Sequence, residues 1–369
     1  MDPEHGVYTL DRAGLYHPGA PILSASFSGA CREEVPGEVL LTGLVAGYEV
    51  SLRLASAINP AHYRLWHTTG TVGAFGAAAA AARTLTLDPG QTAGALGLAG
   101  TQAAGLWEVL PDAPQAKNLH PAKAAHAGFL AALLSQKGIE GPVTIFEGPQ
   151  GFFSAMVPEP VDAQKCTAGL GEAWLILTTT FKNYPVCGHT MTPIEAALKL
   201  HGQFAPAAVE TIEVEAHPVS LQVAGQPAPS DEYQAKFSIP YCVAVALLKG
   251  RVGQEEFSCQ VRESREIHEL LKRIRLIPEA RSDGIPGRRS ARITVRVDGG
   301  KVFRASADVR KGDPEWPMTA REKRDKFLKL TGQVWGDDAA EGLFDAIQDL
   351  PRVENVLRWA EGLRSLVER

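Results

Sequence analysis

Two histidine-bearing segments flank a run of tiny side chains in the first third of the chain. The first reads His67-Thr68-Thr69-Gly70-Thr71-Val72-Gly73-Ala74-Phe75-Gly76 and runs into six alanines, Ala77 to Ala82. The second reads Lys117-Asn118-Leu119-His120-Pro121-Ala122-Lys123-Ala124-Ala125-His126. A histidine titrates near neutral pH and can take or give a proton there. With Lys117 and Lys123 nearby, the local chemistry points to carboxylates. Pro121 suits the first turn of a helix, where its missing N–H would have no intrahelical partner. His120 then stands where free backbone N–H groups and the positive dipole end favour an anion.

Two further segments carry reactive side chains. His17 lies in Tyr16-His17-Pro18-Gly19-Ala20-Pro21, a loop entering a helix. Phe181-Lys182-Asn183-Tyr184-Pro185-Val186-Cys187-Gly188-His189 gathers a lysine, a thiol and an imidazole ahead of another helix. Cys187 and His189 suggest a metal only if a second cluster follows at zinc spacing, and none does. Dinucleotide, Walker, nucleophile-elbow and His-Glu-x-x-His signatures are missing. Gly94, Gly97 and Gly100 recur every third residue inside a helical pattern, which fits close helix packing better than a phosphate cradle.

The elements that must position these residues follow from periodicity. The alanine run predicts a helix over Gly73 to Leu87, whose small side chains admit a close neighbour. Gly37 to Ile58 makes one apolar helical face through Val39, Leu40, Leu44, Tyr48, Leu52 and Leu54. Asp88-Pro89-Gly90 ends the alanine helix and Gln91 to Gly105 forms the next. Around residue 205 the texture changes to period two, in Thr211 to Ala216, Ala291 to Val297 and Lys301 to Val309. Asp298-Gly299-Gly300 joins the last two as a hairpin. Tyr241 to Leu248 reads as a helix and Arg262 to Arg275 as a charged segment. Val353 to Leu366 forms a terminal amphipathic helix. The expected fold is mainly α with an α+β insert. A helical domain spans 1–204, an α+β domain 205–318, and helices of 319–369 return to the first.

Composition sets the wider limits. The chain has 369 residues, 45% hydrophobic and 21% charged, as ordinary globular proteins do. A net charge of −5 and a pI near 6.1 argue against nucleic-acid or anionic-membrane partners. No uninterrupted apolar run reaches the ~18 residues of a membrane span. Met1 to His5 shows no basic region before an apolar core, so no signal peptide is expected. Five scattered cysteines without a paired framework suit a reducing cytoplasm.

Taken in order, these motifs resemble the MmgE/PrpD family of 2-methylcitrate dehydratases, cis-aconitate decarboxylases and an iminodisuccinate epimerase. The resemblance runs through His17-Pro18-Gly19-Ala20, Gly47-Tyr48-Glu49-Val50 with Arg53, His67 to Ala82 and Lys117 to Gly128. It continues through Glu147-Gly148 with Gly151-Phe152, Lys182 to His189, and Ala235-Lys236-Phe237-Ser238 with Tyr241. It implies a large helical domain, a smaller α+β lid, an active site between them and a homodimer without metal or organic cofactor. By position it implies catalytic roles for His17, His120 and Lys182. Asp11, His67, Lys117, Lys236 and His189 are implied to bind substrate.

The chain departs from the family pattern in two places. Family members carry further helices and an Asp-Asp-Thr-like acidic segment ahead of the His-Pro element, where this sequence offers Asp11. The expectation is a shortened chain, or a separate polypeptide that supplies those helices, with the apolar side of Leu40 to Leu54 left uncovered. The lid position that is histidine in the decarboxylases falls on Phe237, and their later tyrosine has no match near Ser290-Ala291-Arg292. The resemblance therefore implies a dehydratase-like lyase acting on a small hydroxy-polycarboxylate. An epimerase of a small dicarboxylate and a catalytically incomplete carboxylate-binding homologue are the alternatives.

Overall fold

A computed structural model describes residues 9–10, 14–109, 114–279 and 289–368. The chain divides into two compact units, one of Thr180–Met318 and the other of the stretch ending at Thr179 together with the segment from Thr319 onward. The fold is mainly α with an α+β insert, as the sequence pattern leads one to expect.

The helical unit is organised by its least decorated helix. Helices α1 (Gly19–Arg32), α2 (Gly37–Ile58), α3 (Thr68–Thr84), α4 (Pro89–Gly100) and α5 (Leu119–Gln136) make up its first part. Ala77 to Ala82 of α3 are all buried, because α1, α2 and α5 surround the helix. Its small residues set the spacing. A Cβ on Gly76 would meet Ser51 of α2 at 2.8 Å, and one on Gly128 of α5 would meet the Ala74 carbonyl at 2.5 Å. The helix starts five residues earlier than the alanine pattern indicates, because Thr68 and Thr69 are drawn into its first turn.

Asp88-Pro89-Gly90 both ends α3 and opens α4. The Asp88 side chain accepts the Gln91 N–H at 2.8 Å, and the Gln91 side chain accepts the Asp88 N–H at 3.1 Å. This reciprocal cap explains why α4 begins at Pro89. Gly97 approaches Pro142, whose oxygen would lie 2.6 Å from an added Cβ, so the triplet of glycines serves packing. The β-branched run Val143 to Phe146 forms turns here.

The apolar side of α2 is covered, contrary to the expectation of a bare face. Leu40 and Leu52 are each 1% exposed. Leu350 and Val356 from the C-terminal segment close over Leu40, while α1 and α3 cover the rest. By length and composition α2 also passes as a membrane span, yet it packs in this core and carries the buried pair Glu49–Arg53 at 3.2 Å.

The second unit contains α6 (Met191–Leu198), β1 (Val209–Ala216), α7 (Pro218–Ala224), α8 (Glu232–Lys236), α9 (Ile239–Lys249), β2 (Ile274–Pro278), β3 (Ala291–Val297) and β4 (Val302–Ala307). The sheet order is β2-β1-β3-β4, with β1 parallel to β2 and the other pairs antiparallel. Ile212 faces Val295 and Val214 faces Ile293 across the β1–β3 ladder, and all four are fully buried. Gly299 at φ 73° turns the hairpin between β3 and β4. The unit begins at Thr180 and not near residue 205, because Met191 and Ile194 of α6 share the core of this sheet. Strand β2 hides in the charged segment, since Arg275 and Pro278 mask a short edge strand.

Helices α10 (Ala320–Trp335), α11 (Asp337–Gln348) and α12 (Val356–Val367) then rejoin the helical unit.

Candidate functional site

Three histidines and a lysine converge in the helical unit. His67 stands at the N-cap of α3, and its N–H donates to the Gly105 carbonyl at 2.8 Å. His120 lies in the first turn of α5 beside Pro121. The Nδ1 atoms of His67 and His120 are 2.8 Å apart, and the rings are 2% and 7% exposed. Two glycines make this approach possible. A Cβ on Gly70 would lie 3.2 Å from that of His120, and one on Gly105, at φ +152°, would touch the His120 ring at 3.4 Å.

His17 reaches the cluster from the loop ahead of α1, its N–H donating to the Thr69 hydroxyl at 3.2 Å. Lys117, on the helical turn Pro114–Asn118, is buried. Burial, then the charges of Lys117, His17 and His120, hold His67 well below the ordinary histidine range. Burial and then Lys117 and Lys123 lower His120 as well. Both rings are therefore neutral at neutral pH. Trp107, which the sequence pattern gives no reason to single out, stacks at a tilt on His67 with centroids 4.5 Å apart.

The second unit gathers another set of cations. Lys182 is 1% exposed, and the Nδ1 of His189 is 3.1 Å from the Ser220 hydroxyl. Burial drives His189 down to about 3, and Arg289, Arg310, His217 and Lys182 push the same way. Arg310 is buried with Asp313 in an ion pair at 3.0 Å, and Thr180 donates to the same carboxylate at 2.5 Å. Burial would raise the Asp313 carboxyl, but Arg310 and these hydrogen bonds outweigh it. Sequence reasoning missed Arg289, Arg310 and His217. The turn Arg310-Lys311-Gly312-Asp313, with Gly312 at φ 98°, is the one local signal that marks part of this group. Lys236 meets the His189 segment through its carbonyl, which accepts the Cys187 N–H at 2.9 Å. It donates to Glu232 at 2.7 Å and lies over the Phe257 ring. Asp11 lies outside the described residues.

Residues 11–164 match the MmgE/PrpD N-terminal domain and residues 184–350 match the MmgE/PrpD C-terminal domain. The chain belongs to the MmgE/PrpD family. Among relatives of this MmgE/PrpD protein, the cis-aconitate decarboxylase-like protein oryM of Aspergillus oryzae is 27% identical, over 91% of this chain and 76% of its own. Cis-aconitate decarboxylase of Mus musculus is 25% identical over 95% of this chain and 74% of its own. The Aspergillus terreus enzyme of the same name is 25% identical over 92% and 76%.

Within this MmgE/PrpD chain the helical unit offers neutral imidazoles beside a buried ammonium group, a setting that favours negative charge on a bound molecule. Phe237, at the position expected to be histidine in a decarboxylase, stacks on Tyr233 with centroids 5.0 Å apart and brings no proton-transfer group.

Proposed function

We propose that the chain is a cofactor-independent lyase that acts on a small hydroxy-polycarboxylate and removes water from it. The observation that carries this reading is the convergence of His17, His67 and His120 with Lys117 in one buried cluster. An imidazole takes the proton from the carbon next to a carboxylate, a contribution of ~10²–10⁴-fold, and a second acid protonates the hydroxyl on the neighbouring carbon so that it departs as water. Buried cations stabilise the charge that builds on the carboxylate oxygens. Lys182 with Arg289 and Arg310 forms a second cationic group suited to carboxylates. The relatives, named for decarboxylation of cis-aconitate, support a lyase of a small polycarboxylate. They also favour a second reading, decarboxylation of an unsaturated tricarboxylate, against which stands the aromatic Phe237.

The test is proton NMR in deuterated water with a hydroxy-tricarboxylate, cis-aconitate and a small chiral dicarboxylate. Dehydration gives an olefinic product from the first. Carbon dioxide from the second establishes decarboxylation, and inversion of the third without net loss establishes epimerisation. Absence of reaction and of carbon-bound deuterium in all three overturns the proposal. In the same reading the chain assembles as a homodimer in the cytoplasm, and sedimentation checks the assembly.

A further inference from the structure

Two neutral imidazoles that meet through Nδ1 atoms 2.8 Å apart must divide their protons unequally. One Nδ1 carries a proton and donates, and the other accepts. Each ring holds a single proton, so this choice also fixes what each Nε2 presents. If His67 accepted, its proton would sit on Nε2, a buried atom with no hydrogen-bond partner among the described residues. A buried N–H without an acceptor is rarer and costlier than a bare acceptor nitrogen. His67 therefore keeps its proton on Nδ1 and donates it to His120. His120, the more open of the two rings, then carries its proton on Nε2.

We propose that His120 works as a neutral hydrogen-bond donor through Nε2, fixed in that tautomer by His67, and is not the base. It rests on the carboxylate chemistry argued above and assigns the charge-stabilising part of it. The Nε2–H is placed to hold the oxygen of a substrate carboxylate as it gains negative charge, while another group takes the carbon-bound proton. A neutral imidazole suits this role, because it donates without surrendering its proton. His17 is the remaining histidine of the cluster and the acceptor to examine first. His67 is a positioning residue, acting through His120.

The surroundings agree with this division. The groups whose charges act on the pair are Lys117, Lys123 and His17, all basic, so a proton added to either ring is opposed. Lys123 is held by the Gln102 carbonyl at 2.8 Å. Gly70 and Gly105 line this side of His120, where an added Cβ would come within 3.2 Å and 3.4 Å of its side chain.

The experiment is nitrogen NMR of protein labelled with 15N-histidine, with no substrate present. The expected spectrum shows His120 as the Nε2–H tautomer, His67 as the Nδ1–H tautomer and one far-downfield proton between them. Neither ring should protonate as pH passes the ordinary histidine value of ~6.5. In His67→Leu, His120 should show mixed tautomers and begin to titrate. His120 with a bare Nε2, or cationic at neutral pH, overturns the proposal in the wild-type protein alone, whatever the variant does. Kinetics give a second reading. His120→Gln keeps a donor and should exceed His120→Ala by ~10-fold or more in kcat, whereas equal losses indicate a base. The tautomers are read without turnover, so they stand or fall separately from the proposed reaction.

Discussion

The backbone N–H of His17 donates to the hydroxyl of Thr69 at 3.2 Å, which ties the loop ahead of α1 to the first turn of α3. Thr69 is fully buried, so nothing from solvent replaces its oxygen. This hydrogen bond helps to fix His17 relative to His67. Thr69→Val keeps the shape and removes the acceptor, at a cost of about 1–3 kcal/mol for the orphaned donor. We expect kcat to fall by roughly tenfold, with near-native values in Thr69→Ser. A valine variant with unchanged kcat and melting temperature would show that His17 is positioned by other contacts.

His120 and His126 share α5 and differ in setting. His120 is buried against His67, whereas His126 is exposed. His120→Ala should lose ~10²-fold or more in turnover with its circular dichroism intact, and His126→Ala should behave as wild type. Equal losses would remove His120 from the site.

His62 links stability to pH. Its ring is fully buried, with Nδ1 3.0 Å from the Met156 carbonyl and Nε2 2.8 Å from the Thr71 hydroxyl. A carbonyl can only accept, so Nδ1 carries the proton and Nε2 accepts from Thr71. Burial lowers the group from 6.5 to about 4, partly opposed by the Met156 hydrogen bond. The unfolded chain therefore binds the extra proton first as pH falls. The contribution of His62 is complete above about 6.5 and is lost on descent through about 4, on the order of 3 kcal/mol in all. Melting temperatures of wild type should drop more steeply across that window than those of His62→Gln. Parallel curves would contradict this assignment.

Asp313 and Arg310 form a buried pair in the second unit. Removing one charge strands the other, typically at 3–5 kcal/mol. Asp313→Asn should lower unfolding free energy by about 3 kcal/mol in urea titration, more than Arg292→Ala at the exposed pair with Glu215. Similar small losses at both sites would show that Arg310 has other support.

Much of this fold was legible because its patterns are local. The bounds of α2 follow the apolar period without a shift, and the β3–β4 hairpin follows from Asp298-Gly299-Gly300. The histidines could be picked out by type and order, but their contact could not. Fifty-three positions separate His67 from His120, and only packing through Gly70 and Gly105 reveals the shared Nδ1 contact. Arg289, Arg310 and His217 escaped notice for the same reason, since they meet His189 across the fold. Strand β2 and the start of the second unit at Thr180 depend on tertiary packing of α6 and the sheet.

The proposed reaction activates a proton next to a carboxylate without metal or organic cofactor. The most direct measurement is deuterium incorporation at that carbon, followed by NMR on hydroxy-polycarboxylates in deuterated water, with and without a strong chelator. The expected result is incorporation that the chelator leaves unchanged and that Lys117→Met with His17→Ala reduces at least ~10²-fold. Absence of incorporation with every polycarboxylate, or incorporation abolished by chelator and restored by zinc or iron, would contradict it.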